Sequence, residues 1–193
     1  MKTLLRIDSS LRYEGSYSRN LGDFFVNEWT KKNSKNAILR RDIGIEPIQH
    51  LDQTTLDCFY NNLAKTDLIK LSDKLISELF KADEILITVP MYNFGIPSSL
   101  KAYFDLIVRT GKTFIYNKEA TGLLKNKKAY IITAMGDDIT DGRCLVETHL
   151  QHILRYIGIT EIHFFLVNGT ANEILASKHN ETQKLKIIKH LNQ

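Results

Sequence analysis

Cysteine is scarce in this chain. It has two, Cys58 and Cys144, far apart. They form no CxxC pair, and no cysteine–histidine spacing resembles a zinc site, so free thiols in a reducing cytoplasm are the expectation. Long apolar runs are also missing: none approaches the ~20 residues that a membrane span needs. The N-terminal run Met1–Leu5 is cut by Arg6 and Asp8, so no signal peptide is expected. Charge of one sign is absent as well. The 26 basic residues are balanced by 22 acidic ones, and the basic clusters Lys31-Lys32 and Lys125-Asn126-Lys127-Lys128 are short. Solvated surface accounts for them, and a nucleic-acid partner is not expected. The six histidines are scattered; His149 and His152 stand at helical spacing but lack a third ligand, so no metal is expected. There is no GxxxxGK[ST] and no GxGxxG, which argues against a Walker A loop and a dinucleotide site. No repeat, low-complexity tract or Gly/Ser linker divides the chain, so residues 1–193 are expected to form one domain.

What is present is an alternation of strand and helix patterns. Strands are expected at Thr3–Ile7, Ala37–Arg40, Ile85–Val89, Tyr130–Thr133 and Ile162–Val167. Between them, apolar residues recur at helical spacing. Leu21, Phe24, Phe25 and Trp29 mark a helix from about Tyr17 to Lys32, and a short one is expected near Leu56–Leu63. Further apolar helix faces are Leu68, Leu71, Leu75, Ile76, Leu79 and Phe80, then Leu100, Tyr103, Phe104 and Ile107, then Leu145, Leu150, Ile153, Leu154 and Ile157. Leu185, Ile187, Ile188 and Leu191 mark a closing helix, and Gly111 to Lys127 reads as an irregular excursion. Five strands separated by helices predict an α/β fold, a doubly wound parallel sheet of order 2-1-3-4-5. In that order ligands bind beyond the carboxyl ends of the first and third strands.

Two loops are thereby singled out. The first, Asp8-Ser9-Ser10-Leu11-Arg12-Tyr13-Glu14-Gly15-Ser16-Tyr17-Ser18-Arg19, runs from a strand into a helix N-terminus. Unpaired amides and the hydroxyls of Ser10, Ser16 and Ser18 suit one phosphate monoester, although the serines would equally serve as helix caps. The second continues the third strand through Pro90 into Met91, Tyr92, Asn93 and Phe94. An apolar loop where a polar one belongs suits the faces of a flat ring, with Asn93 at a ring edge. A third loop, Thr133-Ala134-Met135-Gly136-Asp137-Asp138, flanks the same crevice. Asp137 and Asp138 are adjacent, and adjacent side chains rarely aim at one ion. A phosphate site beside a planar-ring site describes a mononucleotide such as FMN.

The stretch "PMYNFGIPSSLKAYFD", followed by "RTGKTFIY", together with "DSSLRYEGSYS" and "IGIT", closely resembles the FMN-dependent NADH:quinone oxidoreductases known as azoreductases. The resemblance covers nearly the whole chain. It implies a flavodoxin-like fold and a cytoplasmic homodimer with one FMN per subunit. It places Ser10, Ser16, Tyr17 and Ser18 at the FMN phosphate, and Met91, Tyr92, Asn93 and Phe94 at the isoalloxazine. Ala134, Met135, Gly136 and Asp137 fall on the family's third FMN loop, commonly Ser-Arg-Gly-Gly; only the glycine is kept. Phe94, Tyr116 and Tyr156 fall at positions that line the substrate pocket.

The implied activity is ping-pong, two-electron reduction of quinones and azo compounds, with NADH or NADPH as hydride donor and no catalytic side chain named. A related reductase for nitroaromatic compounds or chromate is the alternative. A non-enzymatic electron carrier of the flavodoxin type is disfavoured by the net charge of +4, since such carriers dock by acidic surfaces. A phosphoacceptor receiver domain is disfavoured because Val89-Pro90 and Val167-Asn168 stand where it needs an aspartate and a lysine.

Overall fold

The computed structural model describes residues 1–32, 35–61, 66–137 and 145–192. Within them the elements run β1 (Thr3–Asp8), α1 (Tyr17–Lys31), β2 (Ala37–Asp42), α2 (Gln53–Asn61), α3 (Asp67–Lys81), β3 (Glu84–Pro90) and α4 (Ser98–Ile107), and continue with β4 (Phe114–Asn117), β5 (Glu119–Gly122), β6 (Lys128–Ala134), α5 (Leu145–Tyr156), β7 (Glu161–Val167) and α6 (Glu173–Leu191). Five strands form one parallel sheet in the order β2-β1-β3-β6-β7. This is the expected 2-1-3-4-5 order, with β6 and β7 as the fourth and fifth sheet strands.

Strand periodicity explains how the sheet is covered. Every residue of β3 is buried, as a central parallel strand with helices on both faces requires. Leu4, Leu86 and Ile132 point to one face, where Leu21, Phe25 and Trp29 of α1 and Ile187 of α6 meet them. Leu5, Ile85, Ile87 and Ile131 point to the other, against Leu75 and Leu79 of α3, Tyr103 and Leu106 of α4, and Leu150 and Leu154 of α5. Serial alternation across a pleat thus sends neighbouring residues into two separate cores.

Three expectations are corrected. The excursion read as irregular contains a second, antiparallel sheet, β4 with β5, turning at Lys118, whose φ is 64°. The hairpin is held against the end of α5: Leu124 N–H donates to the Ile157 carbonyl at 2.9 Å, and a Cβ on Gly122 would stand 2.1 Å from the Gly158 nitrogen. The closing helix begins much earlier than its apolar end, because Asn172 caps it by accepting from the amides of Ile174 and Leu175. Of the residues that marked it, all lie on α6; Ile187 is buried and Leu185 is 69% exposed. The helix expected near Leu56–Leu63 starts at Gln53, and Leu63 lies outside the described residues.

Candidate functional site

The carboxyl ends of β1, β3, β6 and β7 all open on one side of the sheet. A cavity of about 390 Å³ lies there, within the ~300–1,000 Å³ usual for ligand sites. Its walls come from four loops: Ser10, Arg12, Gly15, Ser16, Tyr17 and Ser18 after β1; Pro90, Met91 and Tyr92 at the end of β3; Ala134, Met135 and Gly136 after β6; Thr170 and Ala171 after β7. One end of the cavity is hydroxylic and carries Arg12; the other is apolar.

The hydroxylic end is a short relay. Ser16, the residue before α1, accepts from the Arg19 N–H at 3.4 Å and so caps the helix. Its hydroxyl donates to Ser10 Oγ at 3.0 Å and lies 3.3 Å from Ser18 Oγ. Ser10 Oγ also accepts from the Arg12 N–H at 3.2 Å. A hydroxyl has two acceptor positions and one proton. Both acceptor positions of Ser10 are used, and its proton has no acceptor among the described residues. Capping and anion binding are therefore not rivals here: Ser16 caps, and Ser10 keeps a donor for an anion. Gly15 bends the loop with φ 66°, and no atom lies within 4 Å of where a Cβ would stand on Gly15 or Gly136. Backbone is thus laid open on both sides of the cavity.

Below this loop the sheet is charged. Arg6, 3% exposed, donates to Asp8 and Asp23 at 3.1 and 2.5 Å, and Thr88 Oγ1 donates to Asp8 at 2.8 Å. Burial alone would lower the Arg6 pKa, but Asp8 and Asp23 raise it. The pairing keeps β1 charged yet dry beneath the cavity.

The apolar end is stitched across strands. Met91 N–H donates to the Ala134 carbonyl at 2.8 Å, Met135 N–H to Val167 at 3.0 Å, Thr170 N–H to Met135 at 3.0 Å and Ala171 N–H to Gly136 at 3.2 Å. The loop after β7 is thereby part of the same wall. Beyond Tyr92 the chain makes a tight turn, closed by mutual N–H to carbonyl bonds of Tyr92 and Gly95, each 3.0 Å. Asn93 and Phe94 have φ of 48° and 65°. Asparagine tolerates this region; phenylalanine does not, and such a residue costs about 1–3 kcal/mol.

The structure brings Ser10, Ser16, Tyr17, Ser18, Met91, Tyr92, Ala134, Met135 and Gly136 onto one cavity wall. It does not bring all the expected residues there. Asn93 and Phe94 sit at the turn tip, outside the wall, with Phe94 69% exposed. Asp137 is exposed, and its carbonyl accepts from the Gly169 N–H at 3.1 Å. Asp138 and Cys144 lie outside the described residues. Tyr116 is 68% exposed on β4, and Tyr156 packs on Phe114 at 4.7 Å in a different cavity of about 270 Å³. Tyr116, on the hairpin, and Tyr156, at the end of α5, both stand off the serine wall. Residues that sequence reasoning missed are Arg12, Pro90, Thr170 and Ala171. The signal for the last two was available, since the loop after the final sheet strand leaves the same edge as the other three.

These walls fit a phosphate ester joined to a planar ring. The spare Ser10 proton and Arg12 suit the anion, and Met91, Tyr92 and Met135 suit the ring.

A family model described as the flavodoxin-like fold matches residues 1–191. An FMN-dependent NADH:quinone oxidoreductase of Hydrogenovibrio crunogenus is 39% identical over 183 residues, covering 90% of this chain and 91% of that protein. One of the same name from Xanthobacter autotrophicus is 42% identical over 174 residues, 84% of each chain. Among solved structures, an azoreductase from Bacillus anthracis strain Sterne superimposes with a TM-score of 0.86 at 19% identity, over 98% of this chain and 100% of that one. An FMN-dependent NADH-azoreductase from Bacillus anthracis strain Ames Ancestor, solved in complex with FMN, gives 0.86 at 20% identity, over 98% and 99%. At these identities the two structures establish the shared fold.

Proposed function

The chain belongs to the flavodoxin-like fold family, alongside the FMN-dependent NADH:quinone oxidoreductases, and from that premise we propose that it is itself an FMN-dependent NADH oxidoreductase acting on quinones and azo compounds. The observation that carries this is the meeting, in one cavity, of a serine relay with a spare proton and an apolar wall built by β3 and β6.

FMN, when bound, supplies the hydride chemistry. The chain's residues position it. Ser10 would donate its free proton to the phosphate, with Ser16, Ser18 and Arg12 around it. Met91, Tyr92, Ala134 and Met135 give the ring an apolar seat, which excludes water. Asn93, at the turn tip beyond that seat, and the loop amides would stabilise negative charge at the ring edge. Phe94, held outward by its turn, would form with Tyr116 and Tyr156 a slot for flat substrates where two copies meet, since one chain leaves Tyr156 in a separate cavity. NADH and the acceptor use that slot in turn, which is a ping-pong order. No side chain is assigned a proton-transfer role.

The reading extends to the assembly. We take residues 1–193 as one FMN-binding unit that works as a homodimer. Phe94 and Tyr116, at 69% and 68% exposure, offer aromatic faces for a second copy to cover. Among the described residues no helix is long and apolar enough to cross a membrane. We take the setting to be cytoplasmic, as the resemblance implies.

Steady-state rates at varied NADH and quinone test the order of events. Parallel double-reciprocal lines are expected. Intersecting lines would mean that both substrates bind together, and the single-slot reading would fall.

A further inference from the structure

Behind the serine relay lies a pair of charged residues that does not line the cavity. Arg19 stands on α1 and is 9% exposed; Asp42 is the last residue of β2. The guanidinium reaches back across the β1–α1 loop. Nη1 donates to Asp42 Oδ2 at 2.5 Å and Nη2 to Oδ1 at 2.8 Å, a bidentate pair. Nη2 also donates to the Ser10 carbonyl at 2.6 Å.

We propose that Asp42 and Arg19 are positioning residues for the phosphate end of the cofactor, acting through the Ser10 carbonyl. The inference rests on the function proposed above.

Sheet register explains why a cation belongs here. β1 and β2 pair in parallel with Asp8 beside Asp42, so two carboxylates end neighbouring strands at the same level. Arg19 Nη1 lies 2.5 Å from Asp42 and 4.0 Å from Asp8. The guanidinium thereby answers both acids. Asp42 is fixed from the far side too, because its Oδ1 accepts from the amides of Gly44 and Ile45, each at 3.1 Å. Burial alone would raise the Asp42 pKa, yet Arg19 and these amides hold it below the usual carboxylate value.

The turn after β2 is shaped to the same carbonyl. A Cβ on Gly44 would stand 2.1 Å from the Ser10 oxygen and 2.8 Å from Arg19 Nη2. Ser10 is thus clamped twice. Its carbonyl is drawn back to Arg19, and its Oγ is filled on both acceptor positions by Arg12 N–H and Ser16. Only the proton is left for the cavity. A carbonyl released from Arg19 would let the loop rotate and offer an oxygen lone pair to the anion instead. Arg19 and Asp42 therefore govern how well phosphate is held, although neither lines the cavity.

The test uses FMN and riboflavin, which differ by the phosphate. Affinities for both are measured on the full chain, as wild type, Asp42→Asn, Ser10→Ala and the double variant, with thermal unfolding alongside. For Asp42→Asn, FMN affinity is expected to fall about tenfold, the scale of one hydrogen bond to a charged group, while riboflavin affinity stays within about twofold. The double variant is expected to lose little beyond Ser10→Ala, because both changes act on one contact. Arg19→Lys, which keeps the charge and loses the fork, is expected to behave like Asp42→Asn. If Asp42→Asn does not fold, Asp42→Glu carries the same comparison. Equal weakening of FMN and riboflavin, or fully additive losses, would overturn the inference and leave a merely structural ion pair. A wild type with no preference for FMN over riboflavin would overturn the phosphate cradle, and this inference with it. A wild type that prefers FMN, with variants that keep the preference, would overturn this inference alone.

Discussion

The hydroxyl of Tyr92 accepts a hydrogen bond from the Leu11 backbone N–H at 3.2 Å. One bond thus ties the loop that seats the ring to the loop that seats the phosphate. Tyr92→Phe keeps the ring wall and removes the tie. The expected cost is about 1 kcal/mol, or roughly fivefold in FMN affinity, read by flavin fluorescence titration. Unchanged affinity would mean the two loops are set independently.

Phe94 has a conformation that suits glycine and a side chain that is mostly in solvent. Replacing it tests whether its strain serves a substrate. Phe94→Gly is expected to raise the unfolding midpoint, since relief of a left-handed bulky residue is worth about 1 kcal/mol. Both Phe94→Gly and Phe94→Ala are expected to lose about tenfold in kcat/KM for quinones, the scale of one aromatic contact. Retained activity for every quinone tried would remove Phe94 from the slot.

Gly122 faces backbone, with a Cβ placed 2.1 Å from Gly158 N and 2.2 Å from Ile157 C. No rotamer can relieve that overlap. Gly122→Ala is expected to destabilise the chain by about 2–3 kcal/mol, read by denaturant unfolding, through loss of the seat between the hairpin and the end of α5. A neutral change would show that the hairpin shifts freely.

Asp42 also predicts a pH dependence. Its folded pKa is lowered, so the stability it contributes is present above the unfolded carboxylate value and is lost as pH falls through the lower folded one. The stability gap between wild type and Asp42→Asn is therefore expected to be constant at neutral pH and to shrink on the acid side. A gap that grew with acidification would contradict the assigned pairing.

The fold was legible where one element carries its own pattern. β3, Glu84–Pro90, carries the unbroken apolar run Ile85-Leu86-Ile87 and is buried throughout, as a central parallel strand is. The loops after β1 and β3 followed from strand order. The β4–β5 hairpin was not legible, since its strands are four residues long and its turn uses Lys118 rather than an Asn-Gly or Asp-Gly pair. Nor was the Asp42–Arg19–Ser10 chain, because its members meet only through the register of β1 with β2 and the path of α1. Phe94, Tyr116 and Tyr156 share a role in the resemblance, yet within one chain none of the three lines the cavity: Phe94 is at a turn tip, Tyr116 on the hairpin and Tyr156 at the end of α5. A motif records which residues serve a site but not which copy or element delivers them.

The most direct test is anaerobic addition of NADH to the purified chain reconstituted with FMN, followed by absorbance. Bound flavin absorbing near about 450 nm that bleaches with NADH and recovers with a quinone is the predicted result. Flavin that fails to stay with the chain, or stays and does not bleach, would contradict the account at its centre.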